Sequence, residues 1–379
     1  MTGSRRSLLS AGFGGLGVRS VGFAGSASAV LGTAGCLGRV TDGGRPAFDA
    51  GSVDARVGFV GDVMLGRNVN DRWVDRDPAG VWGSARDRLQ ALSGVVANLE
   101  CCISGRGRPR SEKRFNFRAS PSFATAALTD VDVAVVALAN NHVLDFGERA
   151  LEDTLTHLDD AGVAHAGAGG DHESAFEPAV ATVDDLTVAT ISLTDQYSPY
   201  AASDDDPGTA FATLDSTDAA TRSVVGDAIE GARGAGADLV VASLHWGRNY
   251  ETEPSDTYRA FAHWLVDSGV DVVHGHSAHI LQAVEVYQGR PILYDVGDFV
   301  DDYVDKPGYA NKRSGIFELV VDDGAFDALR VVPTEIEAYR ADLAGDEAAA
   351  GVRETLRERS KPFGTTIERD GDGLSIPLS

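Results

Sequence analysis

"VDVVHGHSAH", residues 270–279, places three histidines within six positions directly after an apolar run. The whole chain has nine histidines, so a third of them stand at the end of one hydrophobic stretch. A short, continuous, Val-rich run bounded by polar residues reads as a strand buried on both faces. Histidines at its end emerge where the chain leaves the sheet. The stretch therefore raises fold and site together. It predicts a covered sheet, with something gathered at the carboxyl ends of its strands.

Working outward, the same kind of run recurs. It is found in "RVGFVGDV" (56–63), "GVVANLE" (94–100), "VDVAVVALANNH" (131–142), "LTVATISLTD" (186–195), "DLVVASLHWG" (238–247) and "PILYDVGDF" (291–299). Between the runs lie helical patterns such as "GERALEDTLTHLDDAG" (147–162) and "PSDTYRAFAHWLVDSG" (254–269). In the second, Tyr258, Phe261, Ala262, Leu265 and Val266 share one face, as an amphipathic helix requires. Both patterns end on Gly, a favoured helix C-cap. Strands alternating with helices predict a layered α/β domain.

The polar residues that close these strands are chemically selective. Asp62 closes the first and Glu100 the second, and Asn140, Asn141 and His142 follow the third. His245 closes the "VVASL" strand, and His274, His276 and His279 close the strand of the opening stretch. A lone Asp in such a place is usually a turn former and a lone His a satisfied core residue. Carboxylate, amide and imidazole delivered together to one sheet edge predict a metal site, because ligands of open α/β sheets bind beyond the carboxyl ends of strands. Imidazole mixed with carboxylate suits Mn, Fe or Zn. His157, His165, His172 and His263 have no such placement and read as structural.

Composition narrows the partners. Asp and Glu number 57 against 33 Lys and Arg, a net charge of −24, and only residues 113, 306, 312 and 361 are Lys. Such a surface repels nucleic acid and anionic headgroups. An acidic, Lys-poor chain suits high salt, where counterions screen self-repulsion, and predicts a halophilic protein.

Residues 1–36 read as an export signal. Arg5 and Arg6 precede a mildly apolar, Gly-rich stretch of twin-arginine type, and "TAGC" ends at Cys36 as a lipoprotein cleavage box does. Arg19 interrupts the apolar region, and Thr33 stands where an aliphatic residue is usual. "GFGGLG" (12–17) has dinucleotide-loop spacing, but no strand precedes it. Residues 37–55 read as a polar tether. Beyond the signal no 18-residue apolar stretch predicts a membrane-spanning helix. The adjacent Cys101 and Cys102 read as small buried residues.

The motifs "GDVMLGR" (61–67), "NLE" (98–100), "NNHVLDFG" (140–147), "HAGAG" (165–169), "HWG" (245–247), "GHSAH" (275–279) and "YDVGDF" (294–299) resemble, in order, those of CapA-type poly-gamma-glutamate capsule proteins. The resemblance spans about residues 56–335. That family in turn resembles calcineurin-like metallophosphoesterases, so it implies a four-layer αββα sandwich. It further implies one or two divalent ions held by Asp62, Glu100, Asn141, His245, His276 and His279. His142 would be the acid at the leaving group, with Asp145 orienting it. The chain departs from the pattern at Met64, where classical metallophosphoesterases place a His. Within the CapA pattern it departs at Ser277 (commonly His), Asn249 (for Glu) and Asp298 (for the Asn of a "GNF" triplet).

The expected function is that of an exported metal-dependent hydrolase of metallophosphoesterase type. It would serve poly-gamma-glutamate synthesis or processing and act on an anionic polymer or phosphoester, with Arg67 as substrate clamp. An alternative is a non-catalytic anchoring or export component working with capsule synthase proteins. Hydrolysis or transfer at the polymer's amide bond is a third expectation. The place would be the extracellular face of the cell membrane, lipid-anchored through Cys36. Residues 336–379 read as an extension of one or two surface helices, broken near Gly351 and ended by Pro362.

Overall fold

The computed structural model describes residues 54–378. The twin-arginine-type segment, Cys36 and the tether as far as residue 53 lie outside the described residues.

The chain first lays down β1 (Ala55–Val63), β2 (Gly94–Leu99), β3 (Val133–Ala137) and β4 (Ala164–Ala166) as parallel neighbours. It then builds a second sheet from β5 (Ala179–Val183), β6 (Leu186–Thr194), β7 (Leu239–His245), β8 (Val272–His276), β9 (Val284–Tyr287) and β10 (Arg290–Leu293). It returns to the first sheet with β11 (Asp298–Val300), β12 (Arg313–Asp322), β13 (Ala325–Glu337) and β14 (Arg340–Leu343), and later adds β15 (Glu368–Asp370) and β16 (Gly373–Pro377). The first sheet runs β15-β16-β13-β12-β1-β2-β3-β4, with β11 beside β1 and β14 beside β13; the second runs β9-β10-β8-β7-β6-β5.

Side-chain alternation turns these sheets into layers. Val57 and Phe59 of β1 pack with Val241 of β7 and Val272 of β8 in a core between the sheets. Their neighbours Val60 and Val63 face a second core with Phe123, Leu128, Leu151 and Leu158. The last four come from helices α1 (Pro121–Asp130) and α2 (Glu148–Ala161). Val240, Ala242 and Val273 face a third core with Val225, Ile229, Phe261 and Leu265. Those four lie on α3 (Ala219–Gly234) and α4 (Asp256–Ser268). Two sheets with helices on both outer faces form the αββα sandwich that the resemblance implied. In α4 the buried residues are Phe261, Ala262, Leu265 and Val266, the face expected from the sequence. Cys101 and Cys102 are free and fully buried.

The C-terminal stretch differs from its reading as surface helices. One helix, α5 (Asp346–Ser360), runs through Gly351 without a break and stops before Pro362. Its Val352 and Leu356 join the core between the sheets. β14, β15 and β16 then extend the first sheet. Their shortness hides the strand pattern: every residue of β15 is exposed, and β16 buries only a few side chains, among them Leu374 and Ile376 in the core between the sheets.

Candidate metal centre

Register brings the polar residues to one edge. In the second sheet His245, the last residue of β7, lies directly beside His276, the last of β8. In the first sheet Asp62 lies beside Asn98 of β2 and Asp298 of β11. Simple alternation would turn Asp62 away from the inter-sheet side that Phe59 faces. The pairing with β2 slips between Val60 and Asp62, and such an irregularity re-aims the next side chain. Asp62 thereby accepts a hydrogen bond from Asn98 Nδ2 at 2.7 Å. Gly61 makes the slip possible, because a Cβ there would stand 1.7 Å from the Gly297 carbonyl oxygen.

Asp62 is the hub. With His245 and His276 it forms one group able to hold a metal ion, and with Glu100 and His279 it forms a second. Its Oδ1 is 3.4 Å from His276 Nδ1 and 3.9 Å from His245 Nδ1, and its Oδ2 is 3.4 Å from His279 Nδ1. His245 Nε2 reaches to 3.8 Å from Glu100 Oε1. Asp62, Glu100, His245 and His276 are at most 1% exposed. Asp62 Oδ2, Asn141 Oδ1 and Asp298 Oδ2 are buried without a hydrogen-bond partner. Buried oxygens are rarely left so, and a cation would satisfy them. The donor set of carboxylate, amide and imidazole fits a divalent transition ion.

Electrostatics agree with that fit at the first group, whereas the raised pKa values of Glu100 and His279 mean that the second would have to release protons to take an ion. Burial pulls His245 down to about 3 and His276 well below the usual imidazole value, so both are neutral, the form that binds metal. Burial and the charge of Asp62 push Glu100 well up. Burial also pushes Asp62 up, but the neighbouring imidazoles of His279, His245 and His276 hold it below the ordinary carboxylate value. Asp298 holds His279 Nδ1 at 2.8 Å and keeps that ring's pKa raised despite its burial.

His142 stands beside this group, its Nε2 3.9 Å from Glu100 Oε1. Its Nδ1 meets Asp145 Oδ2 at 2.6 Å, which is the orienting contact expected of Asp145. The ring stacks on Phe117 with centroids 3.7 Å apart. A charged His142 was the expectation at neutral pH. Burial instead pulls it down to about 4, against the raising effect of Asp145. Sequence reading missed what surrounds Asp145. Lys113 Nζ donates to Asp145 Oδ1 at 2.6 Å and also to the Asn141 carbonyl, while Tyr200 donates to the same carboxylate at 2.9 Å. Tyr303 was missed too, and donates to Glu100 Oε2 at 2.7 Å. The scarcity of Lys was the one available signal for Lys113.

The family model described as "Bacterial capsule synthesis protein PGA_cap" matches residues 56–303. The chain belongs to that family. A probable polyglutamine synthesis accessory protein of Mycobacterium tuberculosis (strain H37Rv) is 35% identical over 333 residues, covering 83% of this chain and 85% of the relative. The capsule biosynthesis protein CapA of Bacillus anthracis is 28% identical over 283 residues, covering 74% of this chain and 67% of that protein.

The departures named from the sequence, Met64 from the classical metallophosphoesterase pattern and Ser277, Asn249 and Asp298 from that of the capsule synthesis family, now have places. Met64 is fully buried in the core, and its sulfur accepts from the Gly66 backbone N–H at 3.2 Å. Asp298 is the His279 partner just described. Ser277 and His279 both adopt positive φ, 108° and 59°, a strained turn of the kind that collects at functional sites. Asn249 lines a cavity of about 610 Å³ together with Arg67, Lys113, Asn141, His142, His279 and Tyr303. His274 lies further in, bridged to His276 by the Ser243 hydroxyl at 3.1 and 3.0 Å. Arg67, the expected substrate clamp, lines the cavity but is already engaged. Its Nε donates to Asp302 Oδ2 at 3.0 Å, its second nitrogen donates to Oδ1, and its guanidinium lies 4.8 Å from the Phe117 ring centroid.

Proposed function

We propose that this protein is a metal-dependent hydrolase of metallophosphoesterase type, acting on an anionic polymer or phosphoester in poly-gamma-glutamate capsule synthesis or processing. The observation that carries the reading is Asp62 shared between two donor groups, one of which reaches through His279 a cavity that His142 also lines. Asp62, His245 and His276 would hold one ion, and Asp62, Glu100 and His279 another, with Asn141 supplying an amide oxygen. When bound, divalent ions there supply Lewis-acid polarisation and water activation. Asp145 fixes the His142 ring through Nδ1, so Nε2 is the nitrogen left to exchange a proton with the substrate. Burial keeps that ring neutral in the free chain, and an anionic substrate would favour its protonation. Lys113 and Tyr200 hold Asp145 in turn.

The names of the relatives support the capsule polymer as the setting. Purified protein should contain Mn, Fe or Zn by elemental analysis and should hydrolyse an activated phosphodiester or poly-gamma-glutamate. Metal without turnover on any such substrate would favour the second reading, a non-catalytic anchoring or export component. Met64 in the core and Arg67 committed to Asp302 support that alternative.

The sequence before residue 54 supports export by a twin-arginine route and lipid anchoring through Cys36 at the extracellular face of the membrane. Replacing Cys36 by Ser should shift the protein from the membrane fraction to the medium or leave it unprocessed. Unchanged fractionation would sink the anchor.

A further inference from the structure

The basic residues of this chain are unevenly spread. Among the 13 residues 106–118, six are basic (Arg106, Arg108, Arg110, Lys113, Arg114 and Arg118) and one, Glu112, is acidic. That segment carries +5 in a chain of net −24. It is the loop that delivers Lys113, Arg114, Phe115 and Phe117 to the cavity wall. Lys306 reaches the same cavity from the other side, its Nζ 3.6 Å from the Tyr250 ring centroid.

Several of the cations in and around this segment are already paired: Arg67 with Asp302, Lys113 with Asp145, Arg106 with Asp153 and Arg110 with Glu112. Arg108, Arg114 and Lys306 have no carboxylate partner among the described residues. Unpaired cations clustered at one place attract anions locally, even in a strongly acidic protein. The same rim is apolar as well: Phe115 is 48% exposed and Val304 78%, and both line the cavity. Large apolar side chains exposed beside a charged cleft mark a contact surface.

Resting on the proposed reading of the site, we infer that Arg114 and Lys306, with Phe115 and Val304, form a docking rim, to which Arg108 adds charge from the same basic segment, for a flexible polymer whose repeat combines an anionic group with an apolar or amide stretch. The scissile group would enter toward His142 while neighbouring repeats lie on the rim. The substrate would then be engaged over several units rather than as one small ester.

The test is binding, measured on the full-length protein as purified, at the lowest salt at which it remains folded. Fluorescently labelled poly-gamma-glutamate is titrated against wild type, an Arg108→Ser/Arg114→Ser/Lys306→Ser variant, and a control carrying Arg76→Ser, Arg149→Ser and Arg357→Ser. Affinity should rise with polymer length, because linked units bind at high effective concentration. It should fall about tenfold or more in the rim variant, with a shallower salt dependence, and stay unchanged in the control. Phe115→Ser should weaken poly-gamma-glutamate more than inorganic polyphosphate, which has no apolar stretch. Equal weakening in both triple variants, or glutamate monomer competing as well as long polymer, would overturn the rim. Failure of hydrolysis with rim-dependent binding intact would overturn the catalytic reading and leave this inference standing.

Discussion

His142 and His276 are both buried imidazoles, yet their neighbours assign them different work. His276 sits at the end of β8 with Asp62 and His245 and should be a ligand; His276→Ala should lower bound metal and melting temperature together, since metal-binding energy is folding energy. His142 is held by Asp145 and stacks on Phe117. His142→Ala should retain metal and lose about two to four orders of magnitude in turnover. Metal content, melting temperature and phosphodiester hydrolysis on both variants decide the matter, and loss of metal from His142→Ala would refute the division. Arg67 is the opposite case, an expected substrate contact that is also structural. Its partner Asp302 has a fully buried side chain while Arg67 is 28% exposed. Arg67→Ala should therefore destabilise by up to about 3 kcal/mol, less than a wholly buried pair would cost because solvent screens the guanidinium. Denaturant unfolding reads this directly; an unchanged midpoint would restore the simple clamp.

At the scale of elements, the strands that carry Asp62, Glu100, His245 and His276 were legible because two-sided burial makes them continuous apolar runs. Their polar ends stand out against that background. Lys113 and Tyr303 were not legible, because a loop puts each beside its partner: Lys113 beside Asp145 and Asn141, Tyr303 beside a carboxylate more than 200 residues earlier. Asp298 was seen as a departure from pattern, but its role needed the register that sets β11 against β1. α5 was legible as a helix and misread as surface, since its buried face is only a few residues wide: Ala348, Ala349, Val352 and Leu356. Leu356 is fully buried against the inter-sheet core, so Leu356→Ala should cost about 2–5 kcal/mol. A true surface appendage would tolerate the change, and a midpoint shift near zero in denaturant would show it to be one.

Across the whole molecule, charge dominates. A net −24 implies repulsion that added salt relieves. The melting temperature should rise steeply from low to molar KCl, and a flat profile would remove the argument for a halophilic protein. The −24 belongs to the entire chain, whereas the cavity edge is locally positive. Salt should then have two opposing effects, firming the fold while loosening any anion held at the rim.

β1 enters its sheet at Ala55 and delivers Asp62 at its far end. Seven steps of strand separate the two, roughly 23 Å at 3.3 Å per residue. The entry of β1 and the metal-binding edge therefore stand at opposite ends of that strand, so a label attached at residue 54 would leave the cavity and basic loop clear.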